Sequence, residues 1–144
     1  MMIAHSKGLF LSLERNNVKY VVIGGVAAIL HGVPRMTVDI DLFIEATLDN
    51  AQRMLNTLQD LGYETSELVT PEGLVAVKLL MFENGIKIDV MMQIPGVTFD
   101  VAWAHKEVRY TGEQSFYIMS KADLIAAKLA SGRQRDLADV AALG

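Results

Sequence analysis

Residues Val38-Asp39-Ile40-Asp41-Leu42-Phe43-Ile44 begin by alternating apolar and acidic side chains and then turn wholly apolar. A period of two is the period of a β-strand, so Val38, Ile40 and Leu42 share one face while Asp39 and Asp41 share the other. The two carboxylates then stand about 6.8 Å apart along the strand. Such a strand belongs in a sheet with a core on one face and a pair of like charges on the other. Two outcomes are open for those charges. They are solvated on a one-sided sheet, or a hard divalent cation with oxygen ligands offsets their repulsion.

The flanking sequence supplies the rest of an α+β fold. Lys19-Tyr20-Val21-Val22-Ile23 is a β-branched run that reads as a buried strand. Gly24-Gly25 breaks it and opens a short helix over Val26–His31, closed by Gly32 and Pro34. Further helices are expected over His5–Asn16, Leu48–Leu61, Lys121–Ala130 and Gln134–Leu143, with a short one near Phe99–Ala104. Ser120-Lys121-Ala122-Asp123 is a variant capping box, and Gly132 ends the helix that it opens. The apolar runs Val75–Phe82 and Ile86–Met92 flank Glu83-Asn84-Gly85, where Asn-Gly marks a hairpin. Shorter strands are expected near Val108–Tyr110 and over Ser115–Ile118. The expectation is a single domain, with an αβ core over residues 1–118, a mixed sheet flanked by helices, and a C-terminal helical pair over 120–144.

Composition narrows the chemistry. The 144 residues include no Cys, which removes disulfides, Cys-zinc sites, iron–sulfur clusters and thiol nucleophiles. With 13 Lys+Arg against 17 Asp+Glu the net charge is −4, unsuited to a protein that simply coats nucleic acid. The most apolar stretch, Tyr20–Leu30, is too short for a membrane span, which needs about 20 residues. A soluble, cytoplasmic, unprocessed protein is expected, with spare apolar surface suited to a homodimer.

Asp89 is the third acid of interest. In Ile86-Lys87-Ile88-Asp89-Val90 the apolar residues face the core, so Asp89 lies on the opposite face. Two roles are open to it: pairing with Lys87 or Lys78 at a surface, or joining Asp39 and Asp41 if its strand lies beside theirs. Three such carboxylates can hold two Mg²⁺ ions for a phosphoryl displacement. Gly24 and Gly25, between a strand and a helix, allow close approach of a phosphate or tight strand–helix packing. They belong neither to a P-loop nor to a dinucleotide fingerprint.

Taken together, Gly24-Gly25, a thirteen-residue spacer, Asp39-Ile40-Asp41 and the later Asp89 resemble the signature of the polymerase-β-like nucleotidyltransferase superfamily. The longer string from Gly24 to Gly32, then Arg35-Met36-Thr37-Val38-Asp39-Ile40-Asp41-Leu42, is similar to minimal nucleotidyltransferases grouped with AbiEii-type toxins. So are Leu124-Ile125, Lys128, Arg133, Arg135-Asp136-Leu137 and Asp139. The resemblance spans Tyr20 to Leu143 and implies a nucleotidyltransferase fold. It also implies transfer of a nucleoside monophosphate from a nucleoside triphosphate to a hydroxyl, with Mg²⁺ or Mn²⁺. Gly24 and Gly25 would hold the triphosphate, and Asp39, Asp41 and Asp89 would be catalytic metal ligands. The acceptor would be an RNA 3′ end, a protein side chain or a small molecule. The alternative is a non-catalytic binding module, such as an antitoxin-like partner in a toxin–antitoxin pair or a nucleotide sensor. Full AbiEii-type toxins are much longer, and minimal antitoxin-type members usually lack such a tail.

Other residues carry two readings each. Arg35 reaches a phosphate or is a solvated loop residue, and Thr37 bonds a ligand or simply favours strand. Lys128, Arg133 and Arg135, with Lys121 nearby, bind triphosphate or RNA, or are solvated helix positions. Asp136 and Asp139, three residues apart, suit a salt-bridge network more than chemistry. His31 suits a helix-end role; His5 and His105 are not spaced as a metal pair. Trp103 and Tyr110 suit core packing more than base stacking, and the eight Met residues suit core filling.

Overall fold

The computed structural model describes residues 6–77, 79–84 and 86–144. His5, Lys78 and Gly85, expected in a helix start, an ion pair and a hairpin turn, lie outside that set. The described residues form α1 (Lys7–Arg15), β1 (Tyr20–Ile23), α2 (Gly24–Leu30), β2 (Asp39–Ile44) and α3 (Leu48–Asp60). A 3₁₀ turn (Glu64–Leu68) and α4 (Pro71–Val77) precede β3 (Leu79–Asn84) and β4 (Ile86–Met91). Then come α5 (Phe99–His105), β5 (Glu107–Thr111), β6 (Gln114–Ile118), α6 (Lys121–Ser131) and α7 (Gln134–Leu143). The class is α+β, with seven α-helices among the described residues and a C-terminal helical pair.

One six-stranded mixed sheet runs in the order β3-β4-β2-β1-β6-β5. β2 is antiparallel to β1 and parallel to β4, and β1 is parallel to β6. Both faces are covered. On one face Ile40, Leu42 and Ile44 of β2 join Phe10 and Leu13 of α1, Met54 and Leu58 of α3, and Leu74 of α4. On the other, Phe43 joins Ala27 and Ala28 of α2, Ala102 of α5, Leu124 of α6 and Leu143 of α7. The acidic face of β2 is therefore no open, solvated surface. Phe43, two residues from Asp41, is fully buried and packs edge-on against Phe99 at 5.4 Å.

Local chemistry explains where the elements stop. Ser120 Oγ accepts the Asp123 N–H at 3.2 Å, and Gly132 closes α6 with φ +67°. Several expected boundaries move, α2 for instance starting at Gly24 rather than Val26, and two of the shifts have a clear cause. Val75–Val77 is helical rather than strand, because Thr70 Oγ1 accepts the Gly73 N–H at 3.0 Å and Pro71 starts the helix. Val38 lies outside β2 and is exposed, since pairing with β4 begins only at Asp39. Tyr110 is also exposed on the edge strand β5, contrary to the expected core role, whereas Trp103 packs on Phe99 and Tyr117. The methionines divide similarly: Met54 and Met119 are buried, Met36 and Met81 exposed. No described helix is long and apolar enough to cross a membrane.

Asn50, fully buried on α3, ties the ends of β1 and β2 together. Its Oδ1 accepts the Lys19 N–H at 2.8 Å, and its Nδ2 donates to the Lys19 and Glu45 carbonyls at 3.1 and 3.0 Å. Substituting Asn50→Ala strands the Lys19 N–H and the Glu45 carbonyl, while the Lys19 carbonyl keeps the Glu45 N–H at 3.3 Å. The expected loss is about 2–3 kcal/mol of unfolding free energy, read from urea denaturation.

Candidate active site

The pairing of β2 with β4 builds the site. In that parallel register Asp41 lies opposite Asp89, and Asp39 lies opposite Lys87. The side chains of Asp41 and Asp89 meet, while Asp39 turns to Lys87, whose Nζ stands 3.6 Å from its Oδ2. Burial, with the charge and hydrogen bonding of Asp89 and the charge of Asp39, pushes the Asp41 carboxyl up to about 7. Arg135 on α7 pulls the other way. Asp89 Oδ1 is shut off from solvent and accepts no hydrogen bond from any described residue.

That orphaned oxygen tests whether the residues suit a cation. A buried carboxylate oxygen without a donor, beside a second carboxylate, is an oxygen donor set for a hard divalent ion. Asp41 and Asp89 fit one. Among the described residues no three carboxylate or imidazole groups are gathered closely enough to enclose an ion as they stand. Asp39, held by Lys87, is the outlying member.

The two glycines are needed where the carboxylates meet the strand–helix turn. Gly24 has φ +67°, and a Cβ there would stand 2.0 Å from Asp41 Oδ2. A Cβ on Gly25 would press on Thr37 at 3.0 Å and approach the Arg35 guanidinium at 3.3 Å. Both glycines thus admit neighbouring side chains against the backbone. Arg35 continues from that turn to Asp139, its Nη1 donating to Oδ2 at 2.6 Å.

A cleft opens beside Gly24 and Asp41, walled by Met91, Leu124, Lys128 and Arg133 among others. Lys128 and its partners are almost fully buried: its Nζ donates to Asp136 Oδ1 at 3.3 Å and to Asp139 Oδ2 at 2.8 Å. Arg133 Nε donates to Asp136 Oδ2 at 2.7 Å, as does the Ser131 hydroxyl. Burial raises the Asp136 pKa, but hydrogen bonds from Ser131 and Arg133 and the charges of Lys128 and Arg133 outweigh it and hold it below the ordinary value. Lys128 is therefore committed to two carboxylates, while Arg133 keeps most of its side chain exposed at the cleft.

In the sequence, Lys87 presents itself only as a partner for Asp89. Its pairing with Asp39 follows from a strand register that no local pattern encodes. The histidines hold structure: His31 Nε2 lies 2.8 Å from the Met119 carbonyl oxygen, and His105 Nδ1 lies 3.0 Å from Asp123 Oδ2.

The raised Asp41 pKa has a definite sign in stability. Between about pH 4 and 7 the folded chain keeps a proton on Asp41 that the unfolded chain has released, so rising pH favours unfolding. The penalty is complete above about 7 and absent below about 4. In metal-free buffer Asp41→Asn is therefore expected to gain stability over the parent across that window. The gain should reach about 2–4 kcal/mol at pH 8, since each tenfold difference in proton affinity between the folded and unfolded chain is worth about 1.4 kcal/mol. Parallel denaturation series against pH measure it, and equal slopes for both proteins would disprove it.

No curated protein matches the chain. A family model described as "Nucleotidyltransferase of unknown function (DUF6036)" matches residues 3–143, nearly its whole length. The mixed sheet with flanking helices is consistent with a nucleotidyltransferase fold, and the carboxylates on β2 and β4 lie within the matched residues. The chain therefore belongs to this nucleotidyltransferase family.

Proposed function

We propose that the protein moves a nucleoside monophosphate from a nucleoside triphosphate to a hydroxyl acceptor, in a reaction that requires Mg²⁺ or Mn²⁺. The observation that carries this reading is the Asp41–Asp89 pair, pressed together in register with one carboxylate oxygen that no described residue partners. Membership of the family supplies nucleotidyl transfer in general. Asp41 and Asp89 would hold the cation, with Asp39 alongside. The bound ion would supply charge neutralisation at the α-phosphate and orient it.

The remaining work belongs to the chain. Asp89 takes the proton of the acceptor hydroxyl as its oxygen bonds to the α-phosphorus. The α–β phosphoanhydride bond breaks, and pyrophosphate leaves with the electron pair. Arg133 and Arg135, at the start of α7, offer positive charge to the triphosphate. Arg35 and Thr37 brace the Gly24-Gly25 turn beneath it, and Lys128 fixes α7 through Asp136 and Asp139. Such a site works by positioning and electrostatics, so it needs no Ser or Cys nucleophile. The finer kinship with AbiEii-type toxins, and a toxin–antitoxin setting, rest on the resemblance of the Gly24–Leu42 string and of the tail motif.

The test incubates the protein with each α-labelled nucleoside triphosphate, Mg²⁺ or Mn²⁺, and RNA, protein and small-molecule fractions of a lysate. Label should pass to one acceptor class, with transfer falling at least about 10³-fold in Asp41→Asn and Asp89→Asn. Tight capture of one partner protein without turnover, unchanged by either substitution, would instead establish the binding-module reading. In the active system Arg133→Ala is expected to raise KM for the triphosphate about tenfold, the loss of one charge-assisted contact, with a smaller effect on kcat.

A further inference from the structure

Across β3, β4 and β2 the side chains on the acidic face form two cross-strand rows. One is Glu83, Lys87 and Asp39; the other is Met81, Asp89 and Asp41. In the first row an ammonium stands between two carboxylate-bearing strands and holds Asp39 at 3.6 Å. In the second row two carboxylates meet, and among the described residues no cation stands between them and none donates to Asp89 Oδ1. Arg135 reaches this row only through its longer-range charge on Asp41.

We infer that Lys87 is the second cation of the site: its ammonium neutralises Asp39 in place of a second metal ion, so the nucleotide-free protein takes up one divalent ion, at Asp41 and Asp89. The charges support this count. Glu83, Asp39, Asp41 and Asp89 contribute −4 and Lys87 and Arg135 contribute +2, leaving −2, which one divalent ion cancels. The geometry agrees, because the carboxylate that Lys87 engages is the one standing apart from the close pair. β4 itself enforces the arrangement. Lys87 and Asp89 are two residues apart on one strand face, so the register that brings Asp89 to Asp41 also delivers Lys87 to Asp39. Lys87 is in these terms a positioning residue that sets how many ions the carboxylates accept. The inference rests on the divalent-cation reading proposed above.

Mn²⁺ titration without nucleotide, followed by the loss of free-ion signal in electron paramagnetic resonance, reads the stoichiometry directly. One equivalent per chain is expected for the parent and for Lys87→Arg, which keeps the charge. Two are expected for Lys87→Met and for Lys87→Gln, and one again when Asp39→Asn is added to Lys87→Met. Thermal melts run alongside establish that each variant is folded. Two equivalents in the parent, or a single equivalent in both neutral variants, would overturn the role of Lys87 while leaving the cation site intact. No uptake by the folded parent would overturn the cation site itself, and this inference with it.

Discussion

The rest of the molecule is organised around a repulsion. Parallel pairing of β2 with β4 sets Asp41 against Asp89 in a place where water cannot fully solvate either. A folded chain keeps such a contact only if the surroundings fix it more firmly than the charges push it apart. Here the fixing comes from the opposite face of the same strands. Ile40, Leu42, Ile88 and Val90 are fully or almost fully buried there, and a slip of one residue would expose all four. Apolar burial on one face thus holds the carboxylates together on the other. Gly24 completes the enclosure, because any side chain at that position would occupy the space of an Asp41 oxygen.

Beside this uncompensated pair lies a region of the opposite character. Lys128, Asp136, Asp139, Arg133 and Arg35 form a network in which each buried charge meets at least one partner. Such networks contribute more to geometric definition than to net stability, since desolvation offsets much of the attraction. Their effect here is to join α6, α7 and the segment before β2, with Lys128, Arg133 and Asp136 of the network lining the cleft. A saturated network thus faces an unsaturated pair across a shared cavity. That contrast separates residues that shape the site from residues with unused bonding capacity.

Much of this is legible in the sequence where the governing physics is local. The period-two alternation around Asp39 and Asp41, the glycine break after Ile23 and the Ser120 cap each depend on neighbours in the chain, and each element forms, though β2 omits Val38 and α2 takes in both glycines. What stays hidden depends on contacts between distant segments. Lys87 has three acidic residues within reach of a plausible topology, and only the pairing of β4 with β2 selects Asp39. Lys128 reads as a solvated or ligand-binding position, yet the docking of α7 buries it between two aspartates. Tyr110 carries the same side chain that a core would use, but its strand is an edge with that face uncovered. Val75–Val77 differs for a local reason: β-branched content masks the Thr70-Pro71 helix start.

The ion pair between Arg35 and Asp139 spans 104 residues of sequence. A ribosome adds roughly 5–20 residues per second, so about 5–20 s separate the synthesis of its two halves. During that interval the acidic strand, the glycine turn and the β3–β4 hairpin have all been made, whereas Asp136 and Asp139 have not. Lys128 emerges in the same interval with neither of its carboxylates. The cleft is therefore finished last, after the sheet that supports it. A nascent chain can possess Asp39, Asp41 and Asp89 and still lack the helices that wall the cleft beside them. The making of α7 becomes, in this architecture, the event that closes the wall beside the acidic strands.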